Sequence, residues 1–191
     1  LRKLGGITLR TNLDPLEQIW ENRPSLPANP VEIQPLEYAG ETLASKVARI
    51  RKSLRELHAD GMLVSALDDI AWTLNLRGTD VHCNPVFVSY LLIESGKVSL
   101  FVDDNKLSPE VKQYLQDNQV SLYNYNKVED GLKEYSEYNI LLDANETSYY
   151  LWKTVRCQEI VSHTSPIPAM KAVKSEAEIA GYHRAMLRDG V

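Results

Sequence analysis

The chain has 191 residues, a formal net charge of −5, 43% hydrophobic residues and 25% charged residues. These values are ordinary for a globular domain with a buried core, and the acidic balance argues against a nucleic-acid-binding protein, which usually carries a basic patch. No run of about 18 apolar residues is present, so the sequence offers no candidate transmembrane helix and predicts no membrane partner.

The first 37 residues have the character of a tail followed by a linker. Four prolines lie close together: Pro24, Pro27, Pro30 and Pro35. This spacing favours an extended polyproline-type connector. The chain starts at Leu1, and no charged start leads into an apolar core of signal-peptide type. We therefore expect a segment of a longer, cytoplasmic protein, in which residues 1–37 form the tail of a preceding domain and a linker.

An amphipathic helix is predicted to begin near Glu41. Its apolar face is marked by residues at helical spacing: Val47, Ile50, Leu54 and Leu57. Asp60-Gly61 is expected to end this helix, because glycine takes the left-handed position after a helix at little cost. The apolar segment 62–66 then predicts a buried strand, and residues 67–76 predict a short helix.

Strands and helices continue to alternate along the rest of the sequence. Residues 86–95 and 97–103 predict a β-hairpin that turns at Ser95-Gly96, and Ser108-Pro109 predicts the start of a helix. The remaining predicted elements are a strand at 120–125, a marginal helix at 127–137, a strand at 139–144, a helix at 147–155 and a strand at 159–163. The pattern predicts an α/β fold with a mixed β-sheet flanked by helices.

A further helix is predicted to begin at Ser175. Glu178 follows three residues later, which is the spacing of a capping box. The apolar face of this helix comprises Ile179, Tyr182, His183 and Met186. We expect it to be the first helix of a following domain, and the alternative is a C-terminal helix of the same domain.

The segment "NLRGTDVHCNPVFVSY", residues 75–90, is the least ordinary part of the sequence. Arg77 follows a predicted helix and precedes Gly78, so it is expected on a loop, where functional side chains often lie. Asp80 is close enough in sequence to orient the guanidinium through a directional ion pair. Two hypotheses stay open from the residues alone: Arg77 serves a binding site, or it ties down the loop through Asp80 and backbone carbonyls.

Metal and nucleophile motifs are weak in this sequence. His82-Cys83 could supply two zinc ligands, but no other cluster completes the three or four that zinc needs. The cysteines, Cys83 and Cys157, form no C-x-x-C pair and no disulfide framework, so we expect two buried or half-buried free thiols in a reducing compartment.

The sequence contains two pairs of adjacent aspartates. Asp103-Asp104 ends a predicted strand, where paired carboxylates could hold magnesium in a nuclease; the favoured interpretation is loop solubility and helix-start charge. Asp68-Asp69 opens a helix, where negative charge suits the helix dipole.

Three segments together resemble the long, three-domain form of aminopeptidase P (Xaa-Pro aminopeptidase): "IWENRPSLPANP", "SALDDIAWTLNLRGTDVHCNPVFVSY" and "MKAVKSEAEIAGYHRAMLRDGV". The resemblance covers essentially the whole chain. It implies that residues 38–170 are a middle domain with the creatinase/prolidase N-terminal fold, of ribonuclease-H-like topology. Residues 171–191 are then the first helix of a truncated "pita-bread" catalytic domain.

The resemblance also implies a function for the longer protein. Enzymes of this family remove an N-terminal residue that precedes proline, using two divalent metals, usually manganese. Their ligands, two aspartates, a histidine and two glutamates, lie in the pita-bread domain. For this chain we therefore expect no catalytic residue, no metal ligand and no activity alone, with Arg77 and Asp80 lining a substrate pocket.

The partners implied by the resemblance are peptides with proline at the second position, the chain's own catalytic domain and a second copy in a homodimer. The alternative hypothesis from a different class is a non-catalytic binding or assembly module that has kept only the fold.

Overall fold

A computed structural model of the chain describes residues 13, 16 and 19–190. Part of the predicted tail and linker, and the last residue of the predicted C-terminal helix, therefore lie outside the described residues. Residues 23–30, which carry three of the four closely spaced prolines, have no regular secondary structure. Within the described residues, no helix is long and apolar enough to cross a membrane.

The strands have the following bounds: β1 Glu32–Ile33, β2 Gly61–Val64, β3 Leu76–Arg77, β4 Ser89–Glu94, β5 Val98–Val102, β6 Val120–Asn124, β7 Tyr135–Leu142 and β8 Cys157–Ser162. The α-helices used below are α1 Leu36–Ala39, α2 Leu43–Glu56, α3 Leu67–Leu74, α4 Pro109–Asp117, α5 Val128–Gly131, α6 Tyr149–Thr154, α7 Ile167–Ala172 and α8 Glu176–Asp189. A 3₁₀ turn spans Asp104–Lys106.

Six strands form one mixed sheet in the order β6-β5-β4-β2-β7-β8. The β4–β5 and β2–β4 pairs are antiparallel, whereas β5–β6, β2–β7 and β7–β8 are parallel. The predicted hairpin and the predicted α/β class with a mixed sheet are confirmed. The short strands β1 and β3 pair separately, with Glu32 opposite Arg77 and Ile33 opposite Leu76.

Alternating side chains of the sheet enter two cores, one on each face. Leu91 and Ile93 of β4 pack in the larger core with α2, α3 and α4, whereas Leu92 packs in the smaller core beside α5 and α6. Successive strand residues point to opposite faces, and full burial of one such side chain stabilises the fold by about 1.5–3 kcal/mol. The sheet is therefore flanked by helices on both faces, as predicted.

The predicted end of the first long helix is wrong. The left-handed residue after α2 is His58, with φ 55°, and not Gly61. Gly61 instead opens β2, where an added Cβ would lie 3.0 Å from the Ile93 carbonyl oxygen. A glycine is needed here because the backbones of two strands approach closely. Gly61 therefore marks the start of a strand and not the end of a helix.

The predicted marginal helix at 127–137 is shorter than expected. It ends at Gly131 as α5, and residues from Tyr135 onward belong to β7. Tyr135 is only 8% exposed, which anchors this strand in the smaller core. Burial against neighbouring strands therefore overrides the helical preference of the local sequence. The helices α1 and α7 were not predicted.

The predicted capping box of α8 is confirmed. Ser175 Oγ accepts a hydrogen bond from the Glu178 backbone N–H at 3.2 Å, and the Ser175 N–H donates to Glu178 Oε2 at 2.8 Å. The predicted apolar face is solvent-exposed, with Tyr182 at 55% and Met186 at 68%.

Candidate functional site

Asn75 is the pivot that turns the chain from α3 into β3. It has the left-handed φ of 52° and is 3% exposed. Its side chain is held at both ends: Nδ2 donates to the Glu41 carbonyl at 2.9 Å, and Oδ1 accepts from Lys46 Nζ at 2.6 Å. The Asn75 carbonyl accepts from the Gln34 N–H at 2.8 Å. Asparagine tolerates this conformation better than most residues, and these contacts fix it here.

Lys46 of α2 is buried beside this pivot, with 2% of its surface exposed. Besides its bond to Asn75, its ammonium donates to the Trp72 carbonyl at 2.9 Å and lies 4.3 Å from the centre of the Trp72 ring. Burial lowers the pKa of Lys46 from 10.5 to about 8, although Glu178 and Glu41 favour the charged form. A buried ammonium is thus held at the junction of α2 and α3.

Arg77 is two residues beyond the pivot, at the end of β3, and is half-buried. Its Nη1 donates to the carbonyls of Ala71 at 3.0 Å and Leu76 at 2.8 Å. Burial lowers the pKa of Arg77, and the Glu178 carboxylate opposes this effect. The backbone carbonyls of α3 and β3 therefore orient the guanidinium.

The expectation that Asp80 orients Arg77 is wrong. Asp80 Oδ2 instead accepts from Lys106 Nζ at 2.5 Å and from the Val88 N–H at 2.6 Å, while Asp80 Oδ1 is buried and has no hydrogen-bond partner among the described residues. The buried ammonium of Lys106 requires a carboxylate, and the Asp80 N–H bond to the Val86 carbonyl at 3.1 Å holds the loop in place for this pairing. The substrate contact predicted for Asp80 stays a prediction.

A cavity of about 580 Å³ lies between the body of the fold and α8. Its lining from the body comprises Gln34, Tyr38, Ala39, Lys46, Trp72, Arg77 and Pro85. Its lining from α8 comprises Ala177, Glu178, Gly181, Tyr182 and Ala185. Aromatic walls, two cations and one carboxylate thus meet in one cavity, a combination typical of pockets that orient a small polar ligand. Of these residues, the sequence indicated Arg77 as a pocket residue and Glu178 only as a helix cap, and it indicated no role for Lys46 or Trp72.

The α8 side of the cavity is held close to the body by α1. Gly40, with φ +71°, ends α1 and lies against the start of α8, so that an added Cβ would fall 2.1 Å from Ser175 Oγ. The guanidinium of Arg184 lies 5.9 Å from the centre of the Tyr38 ring. Close packing at Gly40 and this cation–π contact therefore set the width of the cavity.

His82 and Cys83 lie at the tip of an exposed tight turn outside this cavity. The Asn84 N–H donates to the Val81 carbonyl at 3.2 Å, and Cys83 has the left-handed φ of 60°. Cys83 is exposed, so the expectation that both thiols are at least half-buried is wrong for this residue, whereas Cys157, in β8, is partly buried as expected. The His-Cys pair therefore serves a turn.

The paired aspartates are engaged within the fold. Asp103 caps the 3₁₀ turn by accepting from the Asn105 N–H at 3.0 Å, and Asp104 pairs with Lys112 at 2.6 Å. Asp69 and Asp68 both accept from Lys171 of α7, with 2.6 Å to Asp69. Across residues 13, 16 and 19–190, no three His, Cys, Asp or Glu side chains are grouped to hold a metal ion. The described residues thus do not fit a dinuclear metal site.

Comparisons with known proteins agree with this architecture. Residues 22–178 match the family model of the creatinase/prolidase N-terminal domain. A probable Xaa-Pro aminopeptidase P of Leptosphaeria maculans is 38% identical in an alignment of 201 positions, gaps included. The alignment covers 100% of this chain and 33% of that protein. Xaa-Pro aminopeptidase ApepP of Drosophila melanogaster is 36% identical over 181 residues, covering 92% of this chain and 30% of that protein. This chain thus spans about one third of the length of these relatives.

A solved structure is also similar over most of the chain. The X-prolyl aminopeptidase from Caenorhabditis elegans, described as a cytosolic enzyme with a di-nuclear active site, superposes with a TM-score of 0.81 at 27% identity. The match covers 91% of this chain and 29% of that one. The Xaa-Pro dipeptidase from Bacillus anthracis, at TM-score 0.54 and 14% identity, shares the fold over 73% of this chain and 38% of that one.

Proposed function

Because the chain belongs to the creatinase/prolidase N-terminal domain family, we propose that it is the non-catalytic middle domain of a Xaa-Pro aminopeptidase. The observation that carries this proposal is the similarity to such enzymes along the whole chain, at 38% identity to the Leptosphaeria protein. The parent enzyme would remove the N-terminal residue of peptides that have proline at the second position. We place the middle domain at residues 38–170, after the linker of 1–37, and assign 171–191 to the start of the catalytic domain.

The proposed role of this segment is to shape the substrate entrance. The cavity between the body and α8 supports this role, because it would face the catalytic domain if α8 is that domain's first helix. Arg77 and Lys46 supply positive charge there, and Trp72 supplies an apolar wall. A peptide bond before proline is a tertiary amide without an N–H group, so an enzyme that cleaves it has to hold the flanking groups instead. We propose that Arg77 is one of the residues that do so.

Two divalent metals, usually manganese, are proposed for the parent enzyme only. The described residues do not fit such a site, so no metal-dependent step is assigned to this chain. The parent is further proposed to be a cytosolic homodimer, and light scattering of the purified parent would test its oligomeric state.

The test is to purify the longer parent protein and the 191-residue chain separately, each with manganese. Release of the first residue is then measured from a peptide with proline at position two and from a matched peptide with alanine there. We expect the parent to cleave only the proline peptide and the 191-residue chain to cleave neither. A parent that leaves the proline peptide intact would overturn the enzymatic proposal and favour a binding or assembly module.

A further inference from the structure

The position of Arg77 depends on the backbone at Asn75. Asn75 is the last residue before β3, and its left-handed φ of 52° sets the direction in which the chain leaves α3. Such a φ is disfavoured for a residue with a side chain, so contacts have to hold it. Arg77 follows two residues later, and its guanidinium donates to the carbonyls of Ala71 and Leu76 on either side of the pivot.

Lys46 is the side chain that ties this pivot to the last turn of α3. Its ammonium donates to the Trp72 carbonyl, in the last turn of α3, at 2.9 Å and to Asn75 Oδ1 at 2.6 Å. The same ammonium lies over the Trp72 ring at 4.3 Å. The Trp72 carbonyl also accepts from the Asn75 N–H at 3.3 Å, whereas the donor found for Asn75 Oδ1 among the described residues is Lys46 Nζ. Because this site is buried, loss of the ammonium would leave the Asn75 side-chain oxygen out of reach of a replacing water.

We propose that Lys46 is a positioning residue for Arg77: its buried ammonium holds Asn75 in the left-handed conformation and thereby sets the place of the Arg77 guanidinium in the cavity. The contribution of this arrangement to peptide cleavage rests on the proposed function, whereas the positioning itself does not. Lys46 is not proposed to touch the reacting atoms.

Several charged groups face the Lys46 ammonium from the elements around it. Glu41 precedes α2, Arg49 lies on α2, Arg77 ends β3, and Glu178 faces the cavity from α8. The two carboxylates favour the ammonium and the two guanidinium groups disfavour it. Burial outweighs the carboxylates, which lowers the pKa of Lys46 to about 8. Trp72, whose ring contacts the ammonium, is therefore a natural reporter of its protonation.

The first test uses the 191-residue chain with Trp20→Phe and Trp152→Phe, so that Trp72 is the only tryptophan. We expect its fluorescence to change with a midpoint near pH 8, as Lys46 loses its proton. Lys46→Met should abolish this transition. Absence of any transition between pH 7 and 10, or its persistence in Lys46→Met, would contradict the placement of the Lys46 ammonium beside the Trp72 ring, on which the positioning role depends.

The second test observes the Arg77 side chain directly, by the ¹⁵N–¹H signal of its Nε in the 191-residue chain. Lys46→Met should shift or broaden this signal, and Asn75→Gly, which allows the same backbone but lacks the amide, should do so as well. Lys52→Met, an exposed lysine on the same helix, should leave it unchanged. If Lys46→Met does not fold, the Arg77 signal in Asn75→Gly still tests whether the Asn75 side chain sets the position of the guanidinium. An unmoved Arg77 signal in the folded variants would overturn the positioning role.

The third test uses the parent enzyme. Lys46→Met should raise KM for a proline peptide about tenfold with little change in kcat, since loss of a charge-assisted contact costs about that factor. In an Arg77→Ala background the same change should alter KM by less than about twofold, because coupled sites are not additive. Additive effects would overturn the coupling. A parent without aminopeptidase activity would overturn the proposed function alone. The positioning of Arg77 by Lys46 is tested separately, by the Arg77 Nε signal of the 191-residue chain.

Discussion

Asp80 and Lys106 form an ion pair that is almost completely excluded from solvent. The Nζ–Oδ2 distance is 2.5 Å, and the two side chains are 0% and 2% exposed, respectively. The pair joins the loop after β3 to the 3₁₀ turn at Asp104–Lys106, two segments that are 26 residues apart. The same carboxylate oxygen accepts from the Val88 N–H, which leads into β4. One carboxylate thus fixes the course of the loop that follows Arg77.

Removal of either partner should be strongly destabilising. Asp80→Asn leaves the Lys106 ammonium buried without a countercharge, and Lys106→Met leaves the Asp80 carboxylate in the same state. We expect each change to lower the free energy of unfolding by roughly 3–5 kcal/mol, as for other buried pairs broken on one side. Urea denaturation of the 191-residue chain measures this.

A matched control is the exposed pair between Lys112 and Asp104. Its N–O distance is 2.6 Å, but the side chains are 39% and 68% exposed. Lys112→Met should therefore change the free energy of unfolding by less than about 1 kcal/mol. Equal losses of unfolding free energy in Lys106→Met and Lys112→Met would show that burial of the ion pair does not decide its contribution to stability.

The elements that could be predicted from the sequence are those fixed by contacts between residues close together in the chain. Ser108 before Pro109, and Ser175 three residues before Glu178, are helix starts because each serine hydroxyl accepts a backbone N–H of its own helix. The β4–β5 hairpin was predictable because its two apolar runs meet at Ser95-Gly96.

The parts that could not be predicted depend on segments distant in sequence. Asp80 pairs with Lys106 and not with Arg77, and nothing local distinguishes these two cations. The non-glycine residues His58 and Asn75 adopt left-handed backbones, held by neighbours that only the fold supplies. A signal for Lys46 did exist, since it lies three residues after Leu43 on the buried face of α2. Lysine is rarely buried, so such a residue is easily assigned to the solvent face.

The contact between Gly40 and Ser175 should tolerate no side chain at position 40. Gly40→Ala places a methyl group 2.1 Å from Ser175 Oγ and adds the cost of a left-handed alanine, about 1–2 kcal/mol. We expect α8 to move away from α1, with faster hydrogen exchange of the amides in residues 176–189.

The control for this change is Gly96→Ala. Position 96 lies in the β4–β5 turn, and an added Cβ would meet no atom of the described part of the chain within 4 Å. This variant should alter stability by no more than about 0.5 kcal/mol and leave exchange in α8 unchanged. Equal exchange in the two variants would contradict the packing argument at Gly40.

Arg77→Ala should impair the parent enzyme more than it impairs folding. The guanidinium lines the cavity, and loss of a charge-assisted contact there is expected to lower kcat/KM at least about tenfold. Arg51→Ala is the matched control, because Arg51 Nε also donates to a backbone carbonyl, that of Glu94, at 2.7 Å, outside this cavity. Thermal denaturation should show similar losses for both variants. Equal kinetics for the two would assign Arg77 to loop structure.

Lys46 should make the stability of the chain depend on pH in an alkaline window. Its pKa is about 8 in the folded chain against an ordinary value of 10.5, because burial disfavours the ammonium. Between these values the unfolded chain binds more protons than the folded chain, so the free energy of unfolding rises with pH. At about 1.4 kcal/mol per pH unit the rise amounts to roughly 3 kcal/mol across the window. Below pH 8 both states are protonated and the contribution of Lys46 is flat.

The measurement is urea denaturation at pH 7, 8, 9 and 10, with Lys46→Met as the reference, because buried tyrosines also titrate in the alkaline range. Burial raises the pKa of Tyr114, for example, which acts in the opposite sense: its phenol ionises more readily in the unfolded chain at high pH, so stability falls there. These effects are common to both proteins and cancel in the difference. The wild-type chain should therefore gain stability relative to Lys46→Met from pH 8 upward, and parallel curves would show that the Lys46 ammonium is not disfavoured by burial.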